Sequence, residues 1–476
     1  MLTALAAWQI RARTWPLVAW PDECIYLVGA RNVAERGDLN THYYLTHSLL
    51  RRGYPHRDVH MPGYILALAP FVKRLGMTWT AGAALNLAVF ALLPALTFVF
   101  GSAVLQDRRQ AAVAAALVLV LPPFPGYLYV IYPEILGAAV FMAGLAVLVH
   151  ARGVAAAAAC GVLFALGATV RETLLFAAPL YAARLSRRQM LLGFAPGALA
   201  TLLLVVAPLS RDRAVHPNAL YPSALEEARA TDAPVAALAG TVLRNVQRNF
   251  ASAGAIAPRT NPEDAVLAFL GLLAVTGLAT GVARRPTRRL ALATLVSLAL
   301  LTLAVLALYV VRERGGVWGG VRVYMPWAPV LLVLATPLLF RPWGLRGALP
   351  LALLTSFLFW RLDLRQIEFF NRYKASDLED QDRQARYIAQ YADPLRPQRV
   401  AARAFTYGLT HYPVEMIWSL PRDKRELWAL EQAVPFDVLA FHEKNPLRFA
   451  LIDNQRYVRL NKGDRGAEFL VWRRLY

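Results

Sequence analysis

Residues 134–170 read EILGAAVFMAGLAVLVHARGVAAAAACGVLFALGATV, and this stretch decides the class of fold. Two mostly apolar runs, 134–151 and 153–170, are separated by Arg152. Each is close to the length of about 20 residues that crosses a bilayer core as a helix. Applied to the whole chain, the same criterion gives ten candidate spans: 81–105, 110–126, 134–151, 153–170, 172–184, 189–209, 264–283, 289–311, 323–340 and 345–360.

The charge distribution divides the chain near residue 360. Residues 1–360 contain 31 Lys and Arg and 15 Asp and Glu, about 13% of that stretch, whereas residues 361–476 contain 20 and 16, about 31%. A soluble enzyme, a disordered chain and a fibrous repeat are poor fits to this pattern. We therefore predict an α-helical integral membrane protein with about 10–11 transmembrane helices (residues 1–360), followed by a small soluble α/β domain (residues 361–476).

The arginines predict the orientation of the chain. They cluster in every second connection, at 108–109, 152, 184–188, 284–289 and 341–346, which the positive-inside rule assigns to the cytoplasm. The net charge of +20 is therefore mainly an orientation signal, and we expect no nucleic-acid partner. The alternate connections, including 127–133, 210–263 and the tail, are predicted to be external. The protein is thus placed in the inner membrane with its C-terminal domain in the periplasm.

The N-terminal part leaves two alternatives open. The segment 61–76 reaches only about 24 Å as a helix, which is short for the bilayer core. An interfacial or re-entrant helix keeps the loop 21–60 external, whereas a spanning helix would make it cytoplasmic, and we favour the first. Residues 1–20 are apolar but short, so we expect a first transmembrane helix that is truncated at this start site.

The tail has the pattern of a small α/β domain. Short alternating or apolar runs predict strands at 399–405, 414–418, 436–441 and 447–452, and residues 422–433 predict a helix between two of them. No phosphate-binding glycine motif occurs there. The two cysteines, Cys24 and Cys160, are far apart and indicate neither a zinc site nor a disulfide framework.

Two external polar clusters precede the first long span. Asp22 and Glu23 follow Pro21, and they are either a helix N-cap with its first turn or a general base with its neighbour. The stretch from His56 to Tyr64 contains His60 directly before Met61-Pro62-Gly63. His56 and His60 could bind a metal only in a helix, and Pro62 favours an extended chain, so interfacial solvation is the preferred alternative.

Two further clusters accompany later spans. Tyr132 and Glu134 lie at the start of a predicted helix, where a tyrosine belt and a favourable helix dipole are the simpler explanation. Arg171, with Glu172, lies between two spans, and Arg322 and Tyr324 follow Arg312 and Arg314. Arginines at this depth suit a phosphate, either that of a bound ligand or that of lipid headgroups.

The order of these motifs resembles that of the GT-C superfamily of membrane glycosyltransferases. The pattern is most similar to the protein O-mannosyltransferase group and the bacterial lipid A aminoarabinose transferase. The resemblance covers roughly residues 15–340, and one departure is Met61 in place of a second proline. The motifs that carry it are Trp20-Pro-Asp-Glu23 with Tyr26 and Gly37-Asp38, His60-Met-Pro-Gly-Tyr64, Tyr132-Pro-Glu134, Arg171-Glu-Thr173 and Arg322-Val-Tyr-Met-Pro326.

The resemblance implies an inverting transfer of a sugar from a polyprenyl-phosphate donor to an acceptor hydroxyl on a glycan, lipid or protein. Asp22 would be the base, assisted by Glu23. His60, Tyr64, Tyr132 and Glu134 would contact acceptor or sugar, and Arg171, Arg322 and Tyr324 would bind the donor phosphate. Relatives with monophosphate donors imply neither a metal nor another cofactor.

Two alternatives to an enzyme remain at this stage. One is a secondary transporter or lipid flippase, which would place ionisable groups near the bilayer midplane in related halves. This chain concentrates such groups at one predicted face and shows no repeated halves. The other alternative is a scaffold whose tail binds a partner.

Overall fold

The computed structural model describes the helical part of the chain and the core of its C-terminal sheet. The described residues are 21–37, 39, 43–45, 56–57, 62–122, 124–210, 233, 235–237, 239–240, 243, 262–308, 320–340, 379–393, 396, 398–402, 406, 414–418, 424–433, 435–452, 456–461 and 468–475. They form two compact units. The first comprises the described residues within 83–207 and 222–370, and the second those within 14–82, 208–221 and 371–476. The predicted boundary near residue 360 lies outside the described residues and stays a prediction.

Helices dominate the structure. Pairs of them are joined by three-residue to six-residue turns of 3₁₀ or π geometry, which are Glu172–Ala177, Met190–Phe194 and Met325–Trp327. The helices are α1 Pro21–Arg36, α2 Pro62–Leu75, α3 Trp79–Phe90, α4 Leu93–Leu105, α5 Arg108–Val118, α6 Phe124–Tyr127, α7 Glu134–His150, α8 Gly153–Val170, α9 Ala178–Ala182, α10 Arg187–Gln189, α11 Ala195–Ser210, α12 Pro262–Ala283, α13 Arg288–Leu308, α14 Gly320–Tyr324, α15 Ala328–Phe340, α16 at 379–391, α17 Lys424–Ala433 and α18 Leu447–Ile452.

Five helical segments of the described part are long and apolar enough to cross a membrane, which confirms the predicted class of integral membrane protein. One set of leucines on α11 to α13 is exposed, and Leu204, for example, is 78% exposed. An apolar surface of this kind suits contact with lipid chains. The predicted total of ten to eleven spans stays a prediction, since the candidate 345–360 lies outside the described residues. The five are Trp79–Leu105, Gly153–Val170, Arg187–Val205, Arg288–Val305 and Arg322–Phe340.

Tight turns join consecutive helices at the predicted cytoplasmic ends. Gln106 has a left-handed φ of 57° at the end of α4, and the Asp107 carboxylate then accepts the backbone N–H groups of Arg109 and Gln110 at the start of α5. Ser186 and Gln189 form a reciprocal capping box at the start of α10. Such caps satisfy the backbone donors that a helix start leaves open.

Glycines bring α8 and the α10–α11 segment into close contact. A Cβ on Gly161 would overlap the carbonyl oxygen of Phe194, and a Cβ on Gly197 would overlap that of Ala158. Small residues at both sides of a helix crossing allow this approach, which favours packing inside a membrane. The crossing holds α8, and therefore Arg171 at its C-terminal end, against the neighbouring helix.

The second unit contains a seven-stranded mixed sheet in the order β2-β1-β4-β3-β5-β7-β6. The central strands β1, β4, β3 and β5 run parallel, and the remaining pairs are antiparallel. Leu427 and Leu430 of α17 pack with Leu439 and Phe441 of β5 in its core. The strands are β1 Tyr43–Leu45, β2 His56–Arg57, β3 Gln398–Ala401, β4 Val414–Trp418, β5 Val438–His442, β6 Tyr457–Arg459 and β7 Phe469–Arg474.

The prediction of a small α/β domain in the tail is confirmed, but one of its predicted elements is wrong. Strands occur at 398–401, 414–418 and 438–442 and a helix at 424–433, as expected. Residues 447–452, predicted as a strand, form the helix α18, in which Leu447 and Leu451 face the core one turn apart. Two strands of the sheet come from the N-terminal loop 21–60, which the sequence did not predict.

The N-terminal helices also refine two predictions. The helix that contains the acidic pair begins at Pro21, so Asp22 and Glu23 both lie in its first turn and Asp22 is not its N-cap. Gly37 then ends α1 with a positive φ of 68°, and its N–H donates to the Val33 carbonyl. The segment 61–76 forms the 14-residue helix α2, which is too short to be among the spanning helices.

Candidate active site

In the first unit, one buried carboxylate contacts two arginines. Glu134 lies in the first turn of α7, and its side chain is 1% exposed. Its Oε1 accepts a hydrogen bond from Arg322 Nε at 2.8 Å and lies 3.5 Å from Arg171 Nη2. Glu134 Oε2 is buried and has no hydrogen-bond partner among the described residues. Three residues that are distant in sequence therefore meet at one carboxylate, which we call the Glu134 cluster: Glu134, Arg171 and Arg322.

The ring of Tyr132 orients the guanidinium plane of Arg322. The guanidinium carbon of Arg322 lies 3.8 Å from the centroid of the Tyr132 ring. A guanidinium over an aromatic face is stabilised by the ring quadrupole. With its Nε on Glu134 and its face on Tyr132, the Arg322 group has a defined orientation. Fixed orientation is what bidentate recognition of a phosphate or carboxylate requires.

The ends of the membrane helices position the cluster. Arg171 is an extended residue between the last turn of α8 and the 3₁₀ turn Glu172–Ala177, and its backbone N–H donates to the Gly167 carbonyl at 2.8 Å. Gly137, one turn after Glu134, would bring an added Cβ within 3.5 Å of the Arg171 Cβ. Arg322 lies in the short helix α14, directly before the buried turn Met325–Trp327. Arg171 and Arg322 thus each lie close to a junction between an α-helix and a 3₁₀ turn.

Tyr324 makes a separate contact. Its hydroxyl lies 2.8 Å from the Thr302 hydroxyl of α13, and either group could be the donor. Thr302 was not among the predicted site residues, because a threonine within an apolar run has no distinguishing spacing. This contact between Tyr324 and Thr302 connects α14 to α13 two residues after Arg322.

The other predicted site residues that the structure describes belong to the second unit. Asp22 is half-buried and Glu23 fully buried in the first turn of α1. Tyr64 of α2 is fully buried and meets the Tyr26 ring edge-on at 4.9 Å. His60 lies outside the described residues, as do Asp38, Arg312 and Arg314. Within the described part of the chain, no group of three or more His, Cys, Asp and Glu side chains could hold a metal ion.

The Glu134 cluster combines two positive groups with one negative group. Counted over these three side chains, its formal charge is about +1. Its side chains are mostly shielded from water, with 12% of Arg171 and 18% of Arg322 exposed. Electrostatic interactions are stronger where water is excluded. The arrangement can therefore bind an anionic group and stabilise negative charge that develops on it.

Comparisons with known proteins find similarity to solved structures. No family model and no curated protein matches the chain. The crystal structure of ArnT from Cupriavidus metallidurans bound to undecaprenyl phosphate is 14% identical, with a TM-score of 0.49, over 99% of this chain and 96% of that chain. The crystal structure of the same protein in the apo state is 14% identical over the same shares, with a TM-score of 0.46. The sequence motifs had predicted a likeness to the aminoarabinose transferase, and this likeness is found.

Proposed function

We propose that the chain is an inner-membrane glycosyltransferase that moves a sugar from a polyprenyl-phosphate donor to an acceptor hydroxyl. The observation that carries the proposal is the Glu134 cluster, in which two arginines and one carboxylate meet at the ends of membrane helices. A phosphate on a lipid anchor is the anion that reaches such a position. The motif order described above supports the same assignment.

The chemistry of the donor explains the need for two arginines. The acceptor oxygen attacks the anomeric carbon, the bond from that carbon to the phosphate oxygen breaks, and the sugar inverts. The leaving phosphate changes from a diester with one negative charge to a monoester with about −1.5 to −2. Arg171 and Arg322 stabilise this increase, and donors fixed in advance do so most effectively. Phosphate is a good leaving group, so no general acid is required.

Asp22 is the proposed general base. It would take the proton of the acceptor hydroxyl as the new glycosidic bond forms. The support is the motif Trp20-Pro21-Asp22-Glu23, together with the partial exposure of Asp22 beside the fully buried Glu23. His60, Tyr64 and Tyr132 are proposed to contact acceptor or sugar, and Tyr324 the phosphate. The proposal includes no resident metal or cofactor.

The unpartnered oxygen of Glu134 suggests how the sugar is held. Within the described residues Oε2 accepts no hydrogen bond, although it is buried. A buried carboxylate oxygen is stabilised when a donor reaches it. A sugar hydroxyl next to the phosphate would supply that donor. The acceptor is a glycan, a lipid or a protein, and the external face is inferred from the arginine pattern.

A matched pair of arginines tests the proposal. Arg152 and Arg171 flank opposite ends of α8, and Arg152 is exposed outside the Glu134 cluster. Binding of polyprenyl phosphate and transfer from labelled polyprenyl-phosphate sugars are measured for Arg171→Gln and Arg152→Gln in nanodiscs. We expect Arg171→Gln to weaken binding by about 10-fold or more, because a charge-assisted contact is lost. Arg152→Gln is expected to match the unmodified protein. Equal effects of the two changes, or transport without a glycosyl product, would contradict the proposal.

A further inference from the structure

Asn86 is a polar side chain in the middle of an apolar membrane helix. It lies in α3, within the span Trp79–Leu105, and it is fully buried. A buried amide in such surroundings is unfavourable unless its hydrogen bonds are made. The position of its partners therefore shows what the residue holds in place.

The partners are backbone carbonyls of one short segment. Asn86 Nδ2 donates to the carbonyl of Val130 at 2.8 Å and lies 3.4 Å from those of Tyr127 and Leu128. Tyr127 is the last residue of α6, whereas Leu128 and Val130 lie in the irregular stretch between α6 and α7. The carbonyls of Tyr127 and Val130 each accept one backbone N–H group within the segment. A carbonyl oxygen can accept a second hydrogen bond, and Asn86 supplies that donor from a different helix.

A second contact supports the same attachment. Phe90 follows Asn86 by one helical turn and so shares its face of α3. The Phe90 ring packs against Phe124 of α6, with ring centroids 6.1 Å apart, and both side chains are fully buried. One face of α3 thus holds both the beginning of the segment, through Phe124, and its middle, through Val130.

The segment leads directly to the Glu134 cluster. The Val130 carbonyl that accepts from Asn86 also accepts the backbone N–H of Tyr132 at 2.9 Å. Tyr132 carries the ring under Arg322, and its ring lies 6.2 Å from that of Tyr127. Glu134 follows two residues later. A single carbonyl group therefore links Asn86 to the residues that orient Arg322.

We propose that Asn86 is a positioning residue for the proposed transfer reaction. It fixes the backbone of 127–133, and through it the ring of Tyr132 and the carboxylate of Glu134. It touches none of the reacting groups itself. The inference rests on the proposed function for its effect on turnover, whereas its effect on the segment is independent of that function.

The test compares Asn86→Leu with Thr97→Val. Leu has nearly the size of Asn but carries no hydrogen-bond donor. Thr97 is also fully buried in the same span, but its hydroxyl donates only to Leu93 of its own helix. Hydrogen exchange of the backbone amides in 124–134 is measured on the whole protein in nanodiscs. We expect exchange to be about 10-fold faster in Asn86→Leu and unchanged in Thr97→Val. Unchanged exchange in Asn86→Leu would overturn the proposal.

Kinetics then separate positioning from a general loss of structure. We expect Asn86→Leu to lower kcat by about 10- to 100-fold, since small displacements of catalytic groups have effects of that size. The KM for the acceptor should stay within about 3-fold. In a Glu134→Gln background the same change should have little further effect, because both act through one structure. Fully additive effects would contradict the assignment.

Two outcomes remain to be distinguished. If Asn86→Leu does not insert, Asn86→Ala is measured in the same way, since it also removes the amide donor. Faster exchange in 124–134 with this variant supports the proposal, and exchange like that of Thr97→Val overturns it. If the unmodified protein transfers no sugar, the proposed function fails, while the exchange measurement still decides whether Asn86 positions the segment.

Discussion

In the proposed reaction Glu134 would have two opposing effects on the donor phosphate. Its carboxylate contacts Arg171 and Arg322 through Oε1, and it also cancels part of their charge. A site that binds its charged product too tightly turns over slowly, because product release limits the rate. The carboxylate would therefore limit the affinity for the phosphate that the proposed reaction releases.

Replacing Glu134 by Gln tests this balance. With the negative charge removed, the two arginines attract phosphate more strongly, and we expect the affinity for polyprenyl phosphate to rise by about 3- to 10-fold. Turnover should fall, because the arginines lose their fixed geometry and release is slower. Binding isotherms and steady-state rates measure the two effects. Glu172→Gln is the control, since Glu172 forms no ion pair with the described residues. Weaker phosphate binding by Glu134→Gln would contradict the argument.

Asp22 and Glu23 are adjacent but differ in exposure, which gives a test of the proposed base. Asp22→Asn removes the proton acceptor with little change in size, so we expect transfer to fall by about 100-fold or more. Binding of polyprenyl phosphate should be preserved, because the charge of the Glu134 cluster is unchanged. Transfer assays and binding isotherms on the same preparation separate the two steps. Full transfer activity in Asp22→Asn would exclude it as the base.

Single residues also show the limits of predicting functional residues from sequence patterns. The motifs Tyr132-Pro-Glu134, Arg171 and Arg322 stand out because charged groups are rare in apolar runs, and three of these side chains do meet in the structure. Asn86 and Thr302 have no such signal. Their function comes from the residues that happen to face them across the bundle, and spacing along the chain does not contain that information.

At the scale of elements, the crossing of α8 with the α10–α11 segment is a close helix contact. Gly161→Ala would place a methyl group against the backbone of Phe194, which is not the end of a flexible side chain. We expect a loss of about 1–3 kcal/mol, since backbone must move. Gly271→Ala in α12 is the matched control, because an added Cβ there meets nothing within 4 Å. Thermal unfolding in detergent compares the two. A similar midpoint for both variants would contradict the predicted crossing.

Elements differ in how well the sequence predicts them. Long apolar runs such as 153–170 predict their helix within one or two residues. The run Leu447–Ile452 was predicted as a strand and is a helix, since six apolar residues fit both periodicities. The two-residue and three-residue strands β2 and β1 were not predicted, because their stability comes from pairing with distant partners.

For the molecule as a whole, β1 joins the N-terminal loop to the C-terminal sheet. Tyr44 is its middle residue and pairs with Arg57 on one side and Ile417 on the other. Tyr44→Pro removes a backbone donor in a strand that is paired on both sides, which the sheet tolerates poorly. We expect faster proteolysis within 414–418 than in Tyr44→Ala, which keeps the backbone donor. Limited proteolysis with mass spectrometry measures the difference. Equal cleavage in both variants would show that β1 does not protect β4.

The pairing of β1 with β4 has a consequence for the synthesis of the protein. Leu45 and its partner Trp418 are separated by about 370 residues. Ribosomes add about 5–20 residues per second, so roughly 20–75 s pass between the appearance of the two strands. Throughout that interval β1 has only β2 beside it and presents an open edge. We therefore expect a chain that ends before β4 to keep this edge unpaired.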